Sequence, residues 1–293
     1  MNLHAWMSEY QPLIENTLLK YVSASFPSET LQKAMAYSLM AGGKRIRPLL
    51  GIATAQALGQ NPQTMLPAAC ALEMIHSYSL IHDDLPAMDN DDLRRGKPTN
   101  HKVFGEAGAI LAGDGLLTLA FETLADPEWA LDAEKKIQVI AIIAQGAGAR
   151  GMVAGQLLDM ESENQTISPA QLQTIHENKT GALLCAAVTS AAHCYDCSAE
   201  DHQALKSFGT HIGLAFQIAD DILDVTQTTQ ALGKTAGSDT ENGKATYPAI
   251  FGLETSIQKA KDCMDQATQS LQRFGDLAQP LKNLASYIIE RKA

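Results

Sequence analysis

Apolar residues recur with the spacing of an α-helix along almost the whole of this 293-residue chain. The pattern predicts helices at 3–22, 29–41, 46–59, 64–84, 103–125, 128–161, 169–194, 199–225, 244–273 and 278–291. Capping residues mark some of the starts, such as Ser168 before Pro169 and Asp126 before Pro127. No alternating run with hairpin turn residues is found, so a β-sheet is not expected. These features predict an all-α protein, with residues 1–293 forming a single domain, one large helical bundle.

The net charge, the N-terminal sequence and the cysteines indicate which binding partners and which cellular location to expect. The formal net charge is −11, and without a basic stripe the chain is not expected to bind nucleic acid. The N-terminus lacks a basic segment followed by an apolar run, and we find no uninterrupted apolar stretch of about 18 residues. We therefore expect no signal peptide, no membrane span and a cytoplasmic location. The five cysteines, including the Cys-x-x-Cys pair Cys194 and Cys197, are expected to be reduced thiols.

Two acidic clusters lie at the ends of apolar helical runs, and together they indicate a metal-binding site. In Asp220-Asp221-Ile222-Leu223-Asp224, the first and last carboxylates lie one helical turn apart on the same face. Three carboxylates on one turn would repel one another in an apolar setting, and a divalent cation removes that cost. Carboxylate oxygens combined with substrate phosphates suit Mg²⁺.

The other cluster is Asp83-Asp84-Leu85-Pro86-Ala87-Met88-Asp89. Because Pro86 cannot lie inside a helix without breaking a hydrogen bond, the helix should end or kink near Asp84. A short loop would then bring Asp89 back toward the metal. Asp91 and Asp92 follow closely, and spacing alone leaves them open as further ligands.

Basic residues lie near both acidic clusters. Gly42-Gly43-Lys44-Arg45-Ile46-Arg47-Pro48 places cations after a flexible glycine pair, and Arg94-Arg95 follows the first acidic cluster. His76 lies seven residues before Asp83, on nearly the same helix face. Guanidinium and ammonium groups beside metal-binding carboxylates predict a substrate that carries phosphate groups.

These motifs resemble those of the short-chain trans-isoprenyl diphosphate synthases. The likeness covers Gly42–Pro48, His76–Gly96, Lys179–Thr180, Phe216–Asp224 and Gly243–Pro248, and it extends through essentially the whole chain. The resemblance is closest to the bacterial enzymes that make farnesyl diphosphate. It implies an isoprenoid synthase fold around a deep central cavity and assembly as a homodimer. It also implies the Mg²⁺-dependent condensation of isopentenyl diphosphate with dimethylallyl or geranyl diphosphate.

The resemblance further implies roles for single residues. Asp83, Asp84 and Asp89 would bind two Mg²⁺ ions, and Asp220 with Asp224 would bind a third, with Mn²⁺ as a substitute metal. The residues implied for isopentenyl diphosphate are Lys44, Arg47, His76 and Arg95. Those implied for the allylic diphosphate are Arg94, Lys179 and Lys234. Thr180 and Gln217 would place oxygen atoms near the developing carbocation, so the expected catalytic set is Lys179, Thr180, Gln217 and Lys234.

Product length is predicted from the helix that leads to Asp83. Tyr78 lies five residues before Asp83, about 7.5 Å along the axis, and Ser79 lies four before it. The small Ser79 would leave the upper channel open, while the bulky Tyr78 would close it below. In the family an aromatic residue at this position stops growth near fifteen carbons. The resemblance therefore implies farnesyl diphosphate as the product.

Other interpretations remain open at this point. Geranyl or geranylgeranyl diphosphate is the alternative product within the same family. A terpene cyclase would need only one diphosphate site, which Lys44, Arg47 and His76 argue against. A regulatory subunit without activity usually lacks an acidic motif, and both motifs are intact here. The polar stretch at 226–244 follows the second cluster and is a candidate lid.

Overall fold

The computed structural model describes residues 2–226 and 244–290, and nearly all of them are helical. In chain order the helices are α1 Leu3–Val22, α2 Glu29–Leu39, α3 Ile46–Ala57, α4 Leu66–Asp83, α5 Asn100–Ala125, α6 Ala133–Ala147, α7 Met152–Glu161, α8 Pro169–His176, α9 Ala182–Cys194, α10 Ala199–Thr226, α11 Tyr247–Phe251, α12 Leu253–Ser270 and α13 Gln279–Glu290. Short 3₁₀ segments at Pro62–Met65 and Gln272–Ala278 and a π-helical turn at Glu177–Gly181 complete the helical part. The all-α prediction is confirmed.

The helix predicted at 128–161 is wrong, because the chain forms α6 and α7 with a break between them. The backbone leaves the helical region at Gly148 and Gly151, which separate the two helices. At the other end, Asp126 accepts a hydrogen bond from the Glu128 backbone nitrogen in a turn (2.8 Å), and Asp132 precedes α6. The predicted cap at Asp126 therefore belongs to a turn and not to a helix start.

Two further features depart from the sequence prediction. The stretch predicted as one helix at 244–273 is divided by Gly252, whose φ of 79° ends α11 before α12 begins. A minimal two-stranded ladder joins β1 Leu93–Arg94 to β2 Lys97–Pro98, so the prediction of no sheet is wrong at this one place. Arg95 and Gly96 both have positive φ in the connecting turn, which is the geometry of a tight hairpin.

Helices α3, α4 and α9 form the centre of the bundle. α3 packs against α4 and α9, and α4 packs against α5. Large side chains with no exposed surface line these contacts: Leu49, Leu50, Ile52, Leu72, Met74, Ile75, Leu183, Leu184 and Val188. Each such burial contributes about 1.5–3 kcal/mol of transfer free energy. The core therefore holds in place the two helix ends that carry predicted site residues, the N-terminus of α3 and the C-terminus of α4.

Two stretches of the described chain are long and apolar enough to cross a membrane by length and composition alone, Asn100–Ala125 and Ala133–Glu161. The first is α5, which packs against α4 and α2, and the second is interrupted at Gly148–Gly151. Only 28% and 33% of their most apolar windows are buried within the chain. These helices therefore present apolar surface on the outside of the bundle, and the expectation of no membrane span stays a prediction.

Candidate active site

The first acidic cluster begins where α4 ends. Asp83 is the last residue of the helix and Asp84 is its C-cap, which agrees with the stop predicted from Pro86. The backbone nitrogen of Asp89 donates a hydrogen bond to the carbonyl oxygen of Asp83 (2.8 Å). The loop thus returns to the helix end, as the sequence predicted.

Protein cations neutralise part of this cluster. Arg94 donates from Nε to Oδ1 of the buried Asp84 (2.6 Å) and contacts Asp91 at 3.3 Å. The exposed Asp92 pairs with Lys102 (2.6 Å). Both residues that spacing left open as ligands therefore have salt-bridge partners in the structure.

Asp83 lies in an electrostatically costly position. The pKa of its carboxyl group is raised to about 6, chiefly because the group is buried; Lys179 and Arg94 act to lower this pKa, and the negative charges of Asp89 and Asp84 act to raise it. A bound cation would stabilise the ionised carboxylate, since nearby positive charge favours the charged form. The site therefore suits a divalent metal.

The predicted isopentenyl diphosphate residues Lys44, Arg47, His76 and Arg95, here called the basic cluster, come from three segments of the chain. Arg95 donates from Nη1 to the carbonyl oxygen of Gly42. A Cβ at Gly43, where φ is 127°, would lie 2.8 Å from the Arg95 guanidinium carbon, so glycine is required there. Burial lowers the pKa of His76 well below its usual value, and the charges of Arg47 and Arg95 lower it further. The imidazole is thus neutral and lies close to these guanidinium groups.

Arg45 has a separate, structural role within the same segment. Its φ of 52° is left-handed, and its buried side chain binds Glu15 and Glu73 (both 2.6 Å) and the Leu39 carbonyl oxygen (2.7 Å). These contacts tie the start of α3 to α1, α2 and α4. Sequence reasoning grouped Arg45 with the phosphate-binding cations, but the structure directs it into the core.

Lys179 lies on the π-helical turn between α8 and α9. Its Nζ binds Oδ2 of Asp159 on α7 (2.6 Å). Gly155 allows this approach, because a Cβ there would overlap the backbone nitrogen of Lys179. π-Helical turns are rare and often mark functional sites.

Two residues that sequence reasoning did not single out, Lys244 and Asp159, add charged contacts beside the first acidic cluster. Lys244 Nζ contacts Asp89 Oδ1 at 3.3 Å and Asp159 Oδ2 at 3.9 Å. Asp159 therefore lies within salt-bridge distance of two lysines, Lys179 and Lys244. The signals available in the sequence were the carboxylate of Gly155-Gln-Leu-Leu-Asp159 and the lysine that opens the motif at 244–248.

The second acidic cluster lies on the last turns of α10. Asp220 is partly exposed, whereas Asp221 and Asp224 are buried. One turn earlier, Gln217 Oε1 accepts a hydrogen bond from Thr180 Oγ1 (2.7 Å). The two residues that are predicted to place oxygen atoms near the carbocation are therefore in direct contact, and their catalytic role stays a prediction.

The contacts meet at Lys179 and Thr180, which link the first acidic cluster and Asp159 to α10, the helix that carries the second acidic cluster. Lys179 acts electrostatically on Asp83, Lys244 joins Asp89 to Asp159, and Thr180 meets Gln217 on α10. Within the described residues, no three His, Cys, Asp or Glu side chains form a ready metal site. Mg²⁺ commonly binds through one or two carboxylates together with substrate phosphates, so the donor set fits a metal that arrives with its substrate.

The predicted chain-length residues lie on α4. Tyr78 is 7% exposed, and its ring meets the His82 ring edge to face at 5.6 Å. Ser79 Oγ donates to the His76 carbonyl oxygen (2.9 Å). Lys234 and most of the predicted lid at 226–244 lie outside the described residues.

Comparison with known proteins gives a consistent result. The polyprenyl synthetase family model matches residues 28–281. A farnesyl diphosphate synthase of Geobacillus stearothermophilus is 49% identical over 276 residues, 92% of each chain. A geranylgeranyl diphosphate synthase of Cyanophora paradoxa is 44% identical, covering 99% of this chain and 97% of the other. The solved structure of an FPP/GFPP synthase from Zymomonas mobilis superimposes with a TM-score of 0.88 at 37% identity, covering 98% and 99%.

Proposed function

Because the chain belongs to the polyprenyl synthetase family and is a short-chain prenyl diphosphate synthase, we propose that its product is (2E,6E)-farnesyl diphosphate. The substrates would be isopentenyl diphosphate with dimethylallyl and then geranyl diphosphate. Relatives that make farnesyl and geranylgeranyl diphosphate have similar identities, so the proposal depends on residues of this chain.

The proposed product length rests on Tyr78. Its aromatic ring is buried on α4, about 7.5 Å along the axis from Asp83, and is held against His82. A prenyl chain that hangs from a diphosphate at Asp83 and runs along α4 would meet this ring. The ring would then stop elongation at fifteen carbons.

The acidic residues would hold Mg²⁺ together with the allylic diphosphate. Asp83, Asp84 and Asp89 would bind it on one side and Asp220 with Asp224 on the other. When bound, Mg²⁺ supplies positive charge that stabilises the departing diphosphate. Chelation of the metal should therefore abolish turnover, and Mn²⁺ should substitute.

The chain's own residues would then act in the condensation. Lys179 and Arg94 would bind the allylic diphosphate, together with Lys234, and the basic cluster would orient isopentenyl diphosphate for attack by its double bond. Oxygen atoms of Thr180 and Gln217 would stabilise the allylic cation, and apolar residues would exclude water. We propose the released diphosphate as the acceptor of the final proton.

The test is chromatography of dephosphorylated products with isopentenyl diphosphate in excess. Wild type should give fifteen-carbon farnesol, Tyr78→Ala should give twenty carbons or more, and Ser79→Phe should give ten. A fifteen-carbon product from Tyr78→Ala would move the chain-length role to another residue. Omission of isopentenyl diphosphate should abolish product formation, whereas a terpene cyclase would remain active.

We also propose that the chain acts as a homodimer with one domain per chain. Large apolar side chains are exposed on neighbouring helices: Ile110 and Leu111 on α5, Ile137 on α6 and Leu157 on α7. Apolar surface of this kind commonly marks a protein interface. The cytoplasmic location stays a prediction.

A further inference from the structure

Asp221, the middle residue of the second acidic cluster, is engaged by protein groups through both carboxylate oxygens. Its side chain is 3% exposed. Oδ1 accepts a hydrogen bond from Gln217 Nε2 (3.0 Å), and Oδ2 accepts one from the Tyr247 backbone nitrogen (2.9 Å). These contacts join α10 to the start of α11, across the segment 227–243.

The contact with Asp221 determines which way the Gln217 amide faces. An ionised carboxylate can only accept hydrogen bonds, so the amide NH₂ group must face Asp221. The amide oxygen then faces Thr180, whose hydroxyl donates to it at 2.7 Å. The oxygen and nitrogen of a glutamine amide have nearly the same size, so sterics alone would not distinguish the two orientations.

The contact with Tyr247 fixes a second part of the site. Tyr247 is 3% exposed and stacks on the His176 ring at 5.3 Å. Three residues earlier, Lys244 reaches Asp89 and Asp159. Asp221 therefore anchors the backbone from which Lys244 extends.

A third described residue beside Asp221 is His176, and it is uncharged. Its Nε2 lies 3.6 Å from Asp221 Oδ2. Burial lowers the pKa of His176 to about 3, so the ring is neutral at physiological pH. Among the described residues, both carboxylate oxygens of Asp221 thus accept hydrogen bonds from neutral groups.

We propose that Asp221 is a positioning residue, not a metal ligand, which holds the Gln217 amide oxygen toward Thr180 and anchors the segment that carries Lys244. The proposal rests on the proposed function, because the allylic cation is what this oxygen pair would stabilise. It leaves Asp220 and Asp224 as the metal-binding residues of the second cluster.

Exchanging the amide and the carboxylate between the two positions tests the orientation directly. Asp221→Asn would present an NH₂ group to Gln217 and turn its amide around, and Gln217→Glu would place a carboxylate against Asp221. In the double variant, the new amide at position 221 can donate to the new carboxylate at position 217 and still accept from Tyr247. That carboxylate still accepts a hydrogen bond from Thr180.

We expect each single change to lower kcat about tenfold or more, as for the loss of a hydrogen bond to a charged group. The double variant should recover most of that loss.

A measurement of metal binding distinguishes a positioning residue from a metal ligand without an activity assay. Calorimetric titration of Mg²⁺ with inorganic diphosphate should give the same affinity for Asp221→Asn as for wild type within about twofold. The matched variant Asp220→Asn should bind about tenfold more weakly, because it loses a charged metal ligand. Circular dichroism would check that every variant is folded.

Two results would overturn the proposal. One is a double variant no more active than Asp221→Asn, and the other is a loss of Mg²⁺ affinity in Asp221→Asn equal to that in Asp220→Asn. A wild-type protein that forms no prenyl product would instead contradict the proposed function. The calorimetric comparison would still decide whether Asp221 binds metal.

Discussion

Neighbouring residues of the segment Gly42–Pro48 face opposite directions because the backbone at Arg45 is left-handed. Arg45 turns into the core, where Glu15 and Glu73 bind it, while Lys44 remains exposed and Arg47 lies near His76. Sequence spacing shows that three cations are present but not which of them is already paired with carboxylates of the protein. That information depends on Glu15 and Glu73, which lie 30 and 28 residues away.

The first prediction separates the two proposed diphosphate sites. Lys44→Ala should raise the KM for isopentenyl diphosphate by about tenfold or more and leave the KM for the allylic substrate nearly unchanged, because an ammonium–phosphate contact is lost. Lys179→Ala should raise the KM for the allylic substrate and leave the KM for isopentenyl diphosphate nearly unchanged. Initial rates measured against each substrate, with the other saturating, would check this. An unchanged isopentenyl diphosphate dependence in Lys44→Ala would contradict the assignment.

The second prediction concerns acid stability. The pKa of His176 is about 3 in the folded protein, against an ordinary value of 6.5. Between these values the unfolded chain holds more protons, so the free energy of unfolding falls as pH falls. His176→Phe keeps a ring against Tyr247 but cannot be protonated. Relative to that variant, wild type should lose about 2 kcal/mol of unfolding free energy between pH 6.5 and pH 5.

Urea denaturation of both proteins at several pH values would measure this difference. Between pH 8 and pH 7 the difference should stay nearly constant, because neither state takes up much of a proton at His176 there. The comparison cancels contributions shared by both proteins, including that of Asp83. A difference that is independent of pH down to pH 5 would show that His176 has its ordinary pKa in the folded state and would contradict the prediction.

At the level of elements, helix type and most starts were predictable, but breaks and close approaches were not. The periodicity of apolar residues predicted α1, α4 and α10 correctly, because their apolar faces are continuous. It failed at Gly148 and Gly151, where the surrounding sequence is still apolar and only the backbone changes. Asp159 and Lys244 were missed for a related reason, since their partners come from distant segments.

The third prediction concerns the contact between α7 and the π-helical turn. Gly155→Ala should push the turn away, because the added Cβ would overlap the Lys179 backbone. The Lys179–Asp159 pair would be displaced, so kcat should fall about tenfold or more even though no charged group is removed. Gly108→Ala on α5 is the matched control, since its added Cβ meets only the Phe104 Cβ at 3.1 Å. Equal kinetics for both variants would contradict the role of this contact.

Across the helical bundle, the outer surface of α5, α6 and α7 carries several exposed apolar side chains. Exposed aliphatic side chains include Leu111 at 58% and Ile137 at 67%. α5 also packs against α4, which carries Asp83 and Tyr78, so a partner on α5 would support the helix pair that forms one side of the site. Burial against a second copy of the chain, as proposed above, would account for this exposed surface.

The fourth prediction tests that assembly. Wild type should sediment as a dimer, and Leu111→Glu or Ile137→Glu should give monomers, because a charge would be buried in an apolar interface. Leu277→Glu is the matched control, since Leu277 is 55% exposed but lies on the segment Gln272–Ala278 and should leave the dimer intact. Sedimentation velocity across a range of protein concentrations would measure this. Monomeric wild type, or dissociation by Leu277→Glu alone, would place the interface elsewhere.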